Sequence, residues 1–296
     1  MSLNVLQSVN LAQYTSWLIG GDAEHFCMPL TVDDLKQALK FAEQNKLNIT
    51  ILGGGSNVLV SDNGVKGLTI CLRKFSQIKS EIISERIYID CLAGTAKSEL
   101  LKLFLKHQLA PALFLAGLPG DVGGGVVMNA GVAEMFQPRE FMELVDSVEV
   151  MTLKGEIKTL QKSDLIIKYR HTEGWQPNIV VRAKMSWDLV KDENVLQKVR
   201  EANKARLSKQ PLDMPSCGSV FKNPESYKVA QLIDQCGLKG FRMGDAQVSL
   251  KHANFVVNLD KATATDTWNV ILHVQKTVKE KTGVDIQTEV VLIGEW

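Results

Sequence analysis

Two glycine-rich stretches are the residues of this 296-residue chain best suited to chemistry. Gly53-Gly54-Gly55-Ser56-Asn57 puts three residues without side chains in a row after an apolar run, and backbone N–H groups bared in this way can converge on a phosphate. Ser56 and Asn57 add polar contacts. Taken alone, the motif is as readily a tight turn, because short glycine motifs recur widely. Gly117-Leu118-Pro119-Gly120-Asp121-Val122-Gly123-Gly124-Gly125 is a second such segment, in what reads as a different module, with Pro119 limiting one turn and apolar Val126-Val127-Met128 coming directly after. Two segments of this kind suit a diphosphate. Neither matches Gly-x-x-x-x-Gly-Lys-Ser/Thr, nor Gly-x-Gly-x-x-Gly in an early strand-turn-helix unit, which disfavours ATP hydrolysis and Rossmann dinucleotide binding. A flavin fold built differently is left.

The elements that must carry these loops can be read from periodicity. Thr31 can cap a helix whose apolar positions Leu35, Ala38, Leu39 and Ala42 recur at helical spacing, ending near Asn45-Lys46. An extended run over 48–52 feeds the first glycine stretch, and a β-rich run over 65–72 comes after the turn at Asp62-Asn63-Gly64. Alternation over 86–92 precedes a helix over 96–109, and the second glycine segment reads as a long loop over 117–131. Strands are expected over 145–153, 157–160 and 179–187, with Lys154-Gly155-Glu156 as a hairpin turn. An amphipathic helix over 193–209 joins two domains. Beyond it come a loop over 210–224, helices over 227–236 and 266–282 closed by Gly237 and Gly283, and strands over 254–258 and 284–293. The reading is α+β with three modules and no internal repeat.

Composition removes several classes. Lysine and arginine number 34 against 33 acidic residues, a net charge of +1 that gives no reason to expect nucleic acid or a membrane surface as partner. The amino terminus lacks a basic region leading into an apolar stretch, so the expectation is a cytoplasmic protein that starts here. The most apolar stretch, 109–118, is broken by Pro111 and Gly117 and falls far short of the ~20 residues a membrane helix needs. Cys27, Cys71, Cys91, Cys217 and Cys236 show no Cys-x-x-Cys spacing and the five histidines form no ligand cluster, so reduced thiols and no metal are expected.

Further motifs extend the pattern: Thr15-Ser16 before Gly20-Gly21, Asp62 and Gly64, Met128-Asn129-Ala130-Gly131, Tyr169-Arg170, Pro215-Ser216-Cys217-Gly218-Ser219-Val220-Phe221-Lys222-Asn223-Pro224, and Thr288-Glu289-Val290. With the two glycine segments they resemble the UDP-N-acetylenolpyruvoylglucosamine reductases over nearly the whole chain, in the compact class without a tyrosine-bearing insertion. The resemblance implies a two-module FAD-binding region of the vanillyl-alcohol-oxidase/PCMH type over 1–73 and 74–190, then a linker helix and an α+β substrate-binding domain over 191–296. It implies NADPH-dependent, FAD-mediated reduction of UDP-N-acetylglucosamine enolpyruvate to UDP-N-acetylmuramate for peptidoglycan, by a monomer holding FAD noncovalently. Carried over residue by residue, the cofactor contacts are Gly53, Gly54, Gly55, Ser56, Asn57, Pro119, Gly120, Gly123, Gly124 and Asn129. The substrate contacts are Tyr169, Lys222 and Asn223.

The implied chemistry leaves enolate character beside the substrate carboxylate. By position, Arg170 stabilises that charge, Ser219 donates the proton and Glu289 steadies the enol. The sequence departs from the family pattern at Val132-Ala133-Glu134, at His171-Thr172, where Thr172 keeps a hydroxyl, and over 225–231, which lacks expected glycines. Two rival readings are an FAD-dependent oxidoreductase of the same superfamily acting on an alcohol or hydroxy acid, and a flavin-binding relative without turnover.

Overall fold

The computed structural model describes residues 3–132, 138–224 and 226–296, so the departures at Ala133, Glu134 and Glu225 lie outside the described residues. The chain forms two compact units, each assembled from separate segments: Met1–Leu6, Phe26–Gly54 and Leu68–Lys204 in the first, and Gln7–His25, Gly55–Gly67 and Ala205–Trp296 in the second.

In the first unit the helix Val32–Gln44 starts at a capping box: Asp34 N donates to Thr31 Oγ1 (3.1 Å) and Thr31 N donates to the Asp34 carboxylate (3.0 Å). Its buried stripe of Leu35, Ala38, Leu39 and Ala42 packs on Leu68 and Ile70 of the strand Val65–Cys71. That strand pairs in parallel with Ile49–Leu52, from Ile49↔Leu68 to Leu52↔Cys71, and so delivers Gly53 at a strand end. Further along the chain is a five-stranded antiparallel sheet, in the order Ile78–Ile83, Arg86–Leu92, Ile179–Asp188, Val145–Met151, Ile157–Gln161. Ile87, Ile89, Val148, Val150, Ala183 and Met185 share a core with Leu100 and Phe104 of the helix Lys97–Lys106 and with Phe114.

One element is added here and one expectation changes. The apolar stretch before the second glycine segment contains a short helix, Pro111–Leu115, with proline in its first turn, where no N–H is missed. The segment expected to be a loop over 117–131 contains the helix Val122–Val127. Three glycines in a helix cost about 1 kcal/mol each in propensity. Close packing requires them: a Cβ on Gly123 would lie 2.9 Å from Ala93 Cβ, and one on Gly125 would lie 2.9 Å from both Lys97 Cε and the Phe141 ring.

In the second unit Thr263 caps the helix Ala264–Thr282, accepting from Asp266 N at 2.9 Å, and Gly283 ends it at φ 73°. Asp62 adds a second cap from far along the chain. Its carboxylate accepts from Ala264 N (2.8 Å), Thr265 N (2.8 Å) and Thr265 Oγ1 (2.7 Å). Asp62→Ala strips all three donors of their acceptor at a helix N-terminus, so we expect a loss of about 1–2 kcal/mol, read as a lower Tm and an earlier urea midpoint.

The core of this unit gathers Trp17, Phe221, Val270, Ile271 and Val274 against the three-stranded sheet Arg242–Met243, Ala246–Val248, Val256–Asn258. The strand expected over 254–258 is shortened because Asn254 turns to Val220 and Phe221 instead, accepting from their N–H groups at 2.9 Å each through its backbone and side-chain oxygens. Of the strand expected over 284–293 only Val291–Ile293 is regular, in parallel with Val58–Val60; the part before it makes a single bridge, Thr288 to Phe221. The helix expected over 193–209 is Val195–Lys209, and the last of the chain's passages from the first unit to the second falls within it, between Lys204 and Ala205.

Candidate cofactor cavity and catalytic residues

A cavity of about 290 Å³ lies in the first unit, lined by Gly54, Arg73, Gly94, Ala96, Gly120 and Asp121. The strand Ile49–Leu52 brings Gly53 and Gly54 to it, and the turn Leu72–Lys74 brings Arg73, whose Nη2 donates to Gly54 O at 2.9 Å. Glycine is needed at these crossings. A Cβ on Gly54 would stand 2.8 Å from Gly120 Cα, and one on Gly94 only 1.8 Å from Leu72 O. The lining is backbone and small side chains with one guanidinium, Arg73, which can pair with a phosphate, and one carboxyl group, Asp121. Gly54→Ala should abolish this approach; we expect the purified variant to lack the yellow of bound flavin while its circular dichroism stays that of the wild type.

Sequence reasoning finds Gly54 and Gly120 but misses Arg73, Gly94 and Ala96. Arg73 has a readable signal, a cation directly after the strand ending near Leu72; Gly94 and Ala96 have none, because their role depends on a distant segment.

The expected cofactor residues divide. Gly53, Gly54, Pro119, Gly120, Gly123, Gly124 and Asn129 belong to the first unit, and Gly55, Ser56 and Asn57 to the second. Gly55 has φ 66°, and a Cβ there would lie 2.0 Å from Tyr14 O. The Asn57 side-chain amide donates to Glu289 O (3.0 Å), so it holds the segment that carries Glu289. The N–H of Gly123 donates to Ala93 O (2.7 Å) and that of Gly124 to Asp121 Oδ1 (2.8 Å). This segment thus offers a ligand close approach rather than the bare donors that the loop reading supplies. Pro119 O and Gly120 O accept from Lys97 Nζ (2.9 Å) and Lys97 N (3.0 Å).

Tyr169 and Arg170 form the two-residue turn between the antiparallel strands Ile166–Lys168 and His171–Glu173. Arg170 has φ 56°, left-handed backbone that a non-glycine residue adopts at a cost of roughly 1–2 kcal/mol. Three contacts hold it. Arg170 Nη2 donates to Gly131 O (2.9 Å), buried Asn129 donates through Nδ2 to Lys168 O (3.1 Å), and Thr172 Oγ1 donates to Val126 O (3.0 Å). Asn129 also donates to Glu140 (2.7 Å) and accepts from Met142 N (3.2 Å), so its two amide hydrogens tie the turn, through Lys168 O, to the segment that carries Glu140. The guanidinium lies 4.6 Å from the Tyr169 ring centre.

In the second unit Ser219 and Glu289 sit on adjoining segments. Glu289 N donates to Val220 O (2.8 Å) and Lys222 N to Gln287 O (2.9 Å). Gly218 precedes Ser219 at φ 84°. Ser219 is half-buried, and its hydroxyl makes no hydrogen bond among the described residues, which leaves its proton available to a ligand. Asn223 Oδ1 accepts from Val229 N (3.0 Å), fixing the end of this segment against the helix Val229–Gln235.

Burial raises the Cys217 thiol well above its usual range, and the Glu289 carboxylate adds to this. Cys27 and Cys91 are pushed to about 12, chiefly by burial. All five cysteines are free and buried. We expect native protein to react negligibly with a thiol reagent at neutral pH and all five thiols to react after denaturation. Among the described residues there is no helix long and apolar enough to cross a membrane, and no group of three or more histidine, cysteine or carboxylate side chains that could hold a metal.

A family model for the C-terminal domain of UDP-N-acetylenolpyruvoylglucosamine reductase matches residues 210–293, and one for an FAD binding domain matches residues 23–161. The UDP-N-acetylenolpyruvoylglucosamine reductase of Listeria innocua serovar 6a is 40% identical over 287 residues, 96% of this chain and 93% of that protein. That of Pediococcus pentosaceus is 39% identical over 298 residues, 99% of this chain and 95% of its own. Among solved structures, the UDP-N-acetylenolpyruvylglucosamine reductase of Thermus caldophilus superposes with a TM-score of 0.78 at 29% identity, covering 99% of both chains.

Proposed function

The chain belongs to the UDP-N-acetylenolpyruvoylglucosamine reductases, which are FAD-binding oxidoreductases, and from that premise we propose that it converts UDP-N-acetylglucosamine enolpyruvate to UDP-N-acetylmuramate with NADPH, as a cytoplasmic monomer supplying peptidoglycan precursor synthesis. The observation that carries the proposal is Ser219, a half-buried hydroxyl without a protein partner among the described residues, on the segment that adjoins Glu289.

Bound FAD supplies the relay of hydride from NADPH to the terminal enolpyruvyl carbon. The backbone of Gly53, Gly54 and Gly120, with Arg73, would hold its diphosphate. Arg170, held on its two-residue turn, would stabilise the enolate charge through charge-assisted hydrogen bonds. Ser219 Oγ then gives its proton to the adjacent carbon; a carbanion is basic enough to take one from an alcohol, and an alcohol is still protonated at neutral pH. Glu289 steadies the enol, and Tyr169, Lys222 and Asn223 hold the sugar nucleotide.

The test is an anaerobic titration monitored by the visible flavin spectrum. Bleaching by NADPH and recovery on adding UDP-N-acetylglucosamine enolpyruvate are expected. Bleaching without recovery would replace the substrate with another acceptor, such as that of an alcohol-oxidising relative, and no response to NADPH would mark a flavin-binding protein without turnover.

A further inference from the structure

Two anchors of the Arg170 turn lead back to one residue, Glu140, which lies outside both the turn and the cavity lining. The guanidinium donates to Gly131 O, and Gly131 pairs with Glu140 in an antiparallel bridge, with Val132 N to Arg139 O (3.1 Å) and Phe141 N to Ala130 O (2.7 Å) on either side. Lys168 O, immediately before Tyr169-Arg170, accepts from Asn129 Nδ2, and the same nitrogen donates to Glu140 Oε2 at 2.7 Å. Glu140 thus meets the turn twice, through its backbone opposite Gly131 and through its carboxylate by way of Asn129.

Asn129 can relay in only one sense. It is fully buried, its Oδ1 accepts from Met142 N (3.2 Å), and its two amide hydrogens go to Lys168 O and to Glu140. Exchanging the oxygen and nitrogen of this amide would set N–H against N–H at Met142 and oxygen against oxygen at the other two ends. The half-buried Glu140 carboxylate, an acceptor only, therefore fixes the nitrogen on the Lys168 side. Glu140 is held in turn: its own N–H donates to Glu143 Oε1 (3.1 Å), as does that of Arg139 (3.1 Å).

The turn needs such support. Arg170 sits at φ 56° and Asn129 at φ 40°, and left-handed backbone at non-glycine residues persists where its surroundings over-determine it. The seat of the guanidinium is also tight, since a Cβ on Gly131 would overlap Arg170 Nη1. We propose that Glu140 is a positioning residue of the reductase reaction: its carboxylate orients the Asn129 amide, and through it the Lys168-Tyr169-Arg170 turn, so that the Arg170 guanidinium meets the enolate in a fixed direction. This role rests on Arg170 stabilising that enolate. Misplacing a group at the reacting centre by about 1 Å costs up to about a hundredfold in rate.

The experiment is anaerobic stopped-flow spectroscopy of the flavin in wild type, Glu140→Ala, Glu140→Gln, Arg170→Gly and the double variant Glu140→Ala with Arg170→Gly, mixed with NADPH and then with saturating UDP-N-acetylglucosamine enolpyruvate. In Glu140→Ala, bleaching by NADPH is expected at the wild-type rate and the return of oxidised flavin about tenfold more slowly. Glu140→Gln keeps an oxygen for Asn129 and stays within about threefold of wild type in both steps. With Arg170→Gly no guanidinium is left to aim, so adding Glu140→Ala slows the second step by less than about twofold. The full tenfold slowing in that background, equal slowing of both steps, or wild-type rates in Glu140→Ala overturn the proposal and leave the reductase activity assigned. An Arg170→Gly variant whose second step runs at the wild-type rate overturns the role of Arg170, and that of Glu140 with it. Should Glu140→Ala fail to fold, Glu140→Asp keeps the charge and withdraws the oxygen from Asn129 by one methylene; it is expected to slow the second step alone by at least about threefold, and an unchanged second step overturns the proposal.

Discussion

Ser219→Ala is expected to keep its flavin, to be bleached by NADPH, and to turn over at least about a hundredfold more slowly, within the 10²–10⁴-fold range of a lost proton donor. The expectation comes from how little else Ser219 does. The backbone around it is held by its neighbours, through Val220 N to Asn254 O at 2.9 Å and Glu289 N to Val220 O at 2.8 Å, and its hydroxyl bonds to nothing among the described residues. Removing one oxygen therefore breaks no hydrogen bond among the described residues and leaves the donor position empty. Stopped-flow spectra separate the half-reactions: bleaching should match wild type, and the return of oxidised flavin on adding substrate should be slow. Turnover within about threefold of wild type, or loss of flavin together with activity, would remove Ser219 from the mechanism.

Arg170→Lys is the second large effect, with an expected fall in kcat of about 10²–10³-fold, the magnitude associated with deleting a fixed donor at a developing negative charge. Lysine keeps the charge and loses the planar fork that both bonds Gly131 O and lies over Tyr169. A companion variant separates chemistry from folding. At φ 56°, glycine is more comfortable than arginine, so Arg170→Gly recovers part of what it loses with the Gly131 contact. We expect its Tm to move by less than about 3 °C while kcat falls at least as far as in Arg170→Lys. A Tm loss that accounts for the activity loss would make Arg170 a structural residue.

The parts of the fold that can be read from sequence are those whose cause is local. The helix Val32–Gln44 has its capping box and its buried stripe within one window, and Ala264–Thr282 is bracketed by Thr263 and Gly283, so periodicity locates both to within a few residues. Alternation locates Arg86–Leu92 and Ile179–Asp188. The glycine helix Val122–Val127 is not legible, because its stability comes from contact with Ala93, Lys97 and Phe141 and its composition argues for a loop. Ile78–Ile83, a mostly exposed edge strand, has no alternation to betray it. The same contrast holds at the site. Gly54 and Gly120 announce themselves, Arg73 is marked only by its place at the end of a strand, and Asp121 looks like any loop aspartate until Gly53 is found beside it. Arg170, Ser219 and Glu289 carry no signal of their own and are reached only through the motifs around them.

The segmented build of the second unit also has a consequence in time. Trp17 is fully buried there and donates through Nε1 to Val256 O, a bond that joins residues 239 positions apart. On a ribosome adding about 5–20 residues per second, the indole, with Ile19 and Leu59 of the same core, waits roughly 10–50 seconds for the segment that covers it. Nascent chains stalled before residue 205 should accordingly expose this apolar set and be held by chaperones, and release should come only with synthesis of the final third.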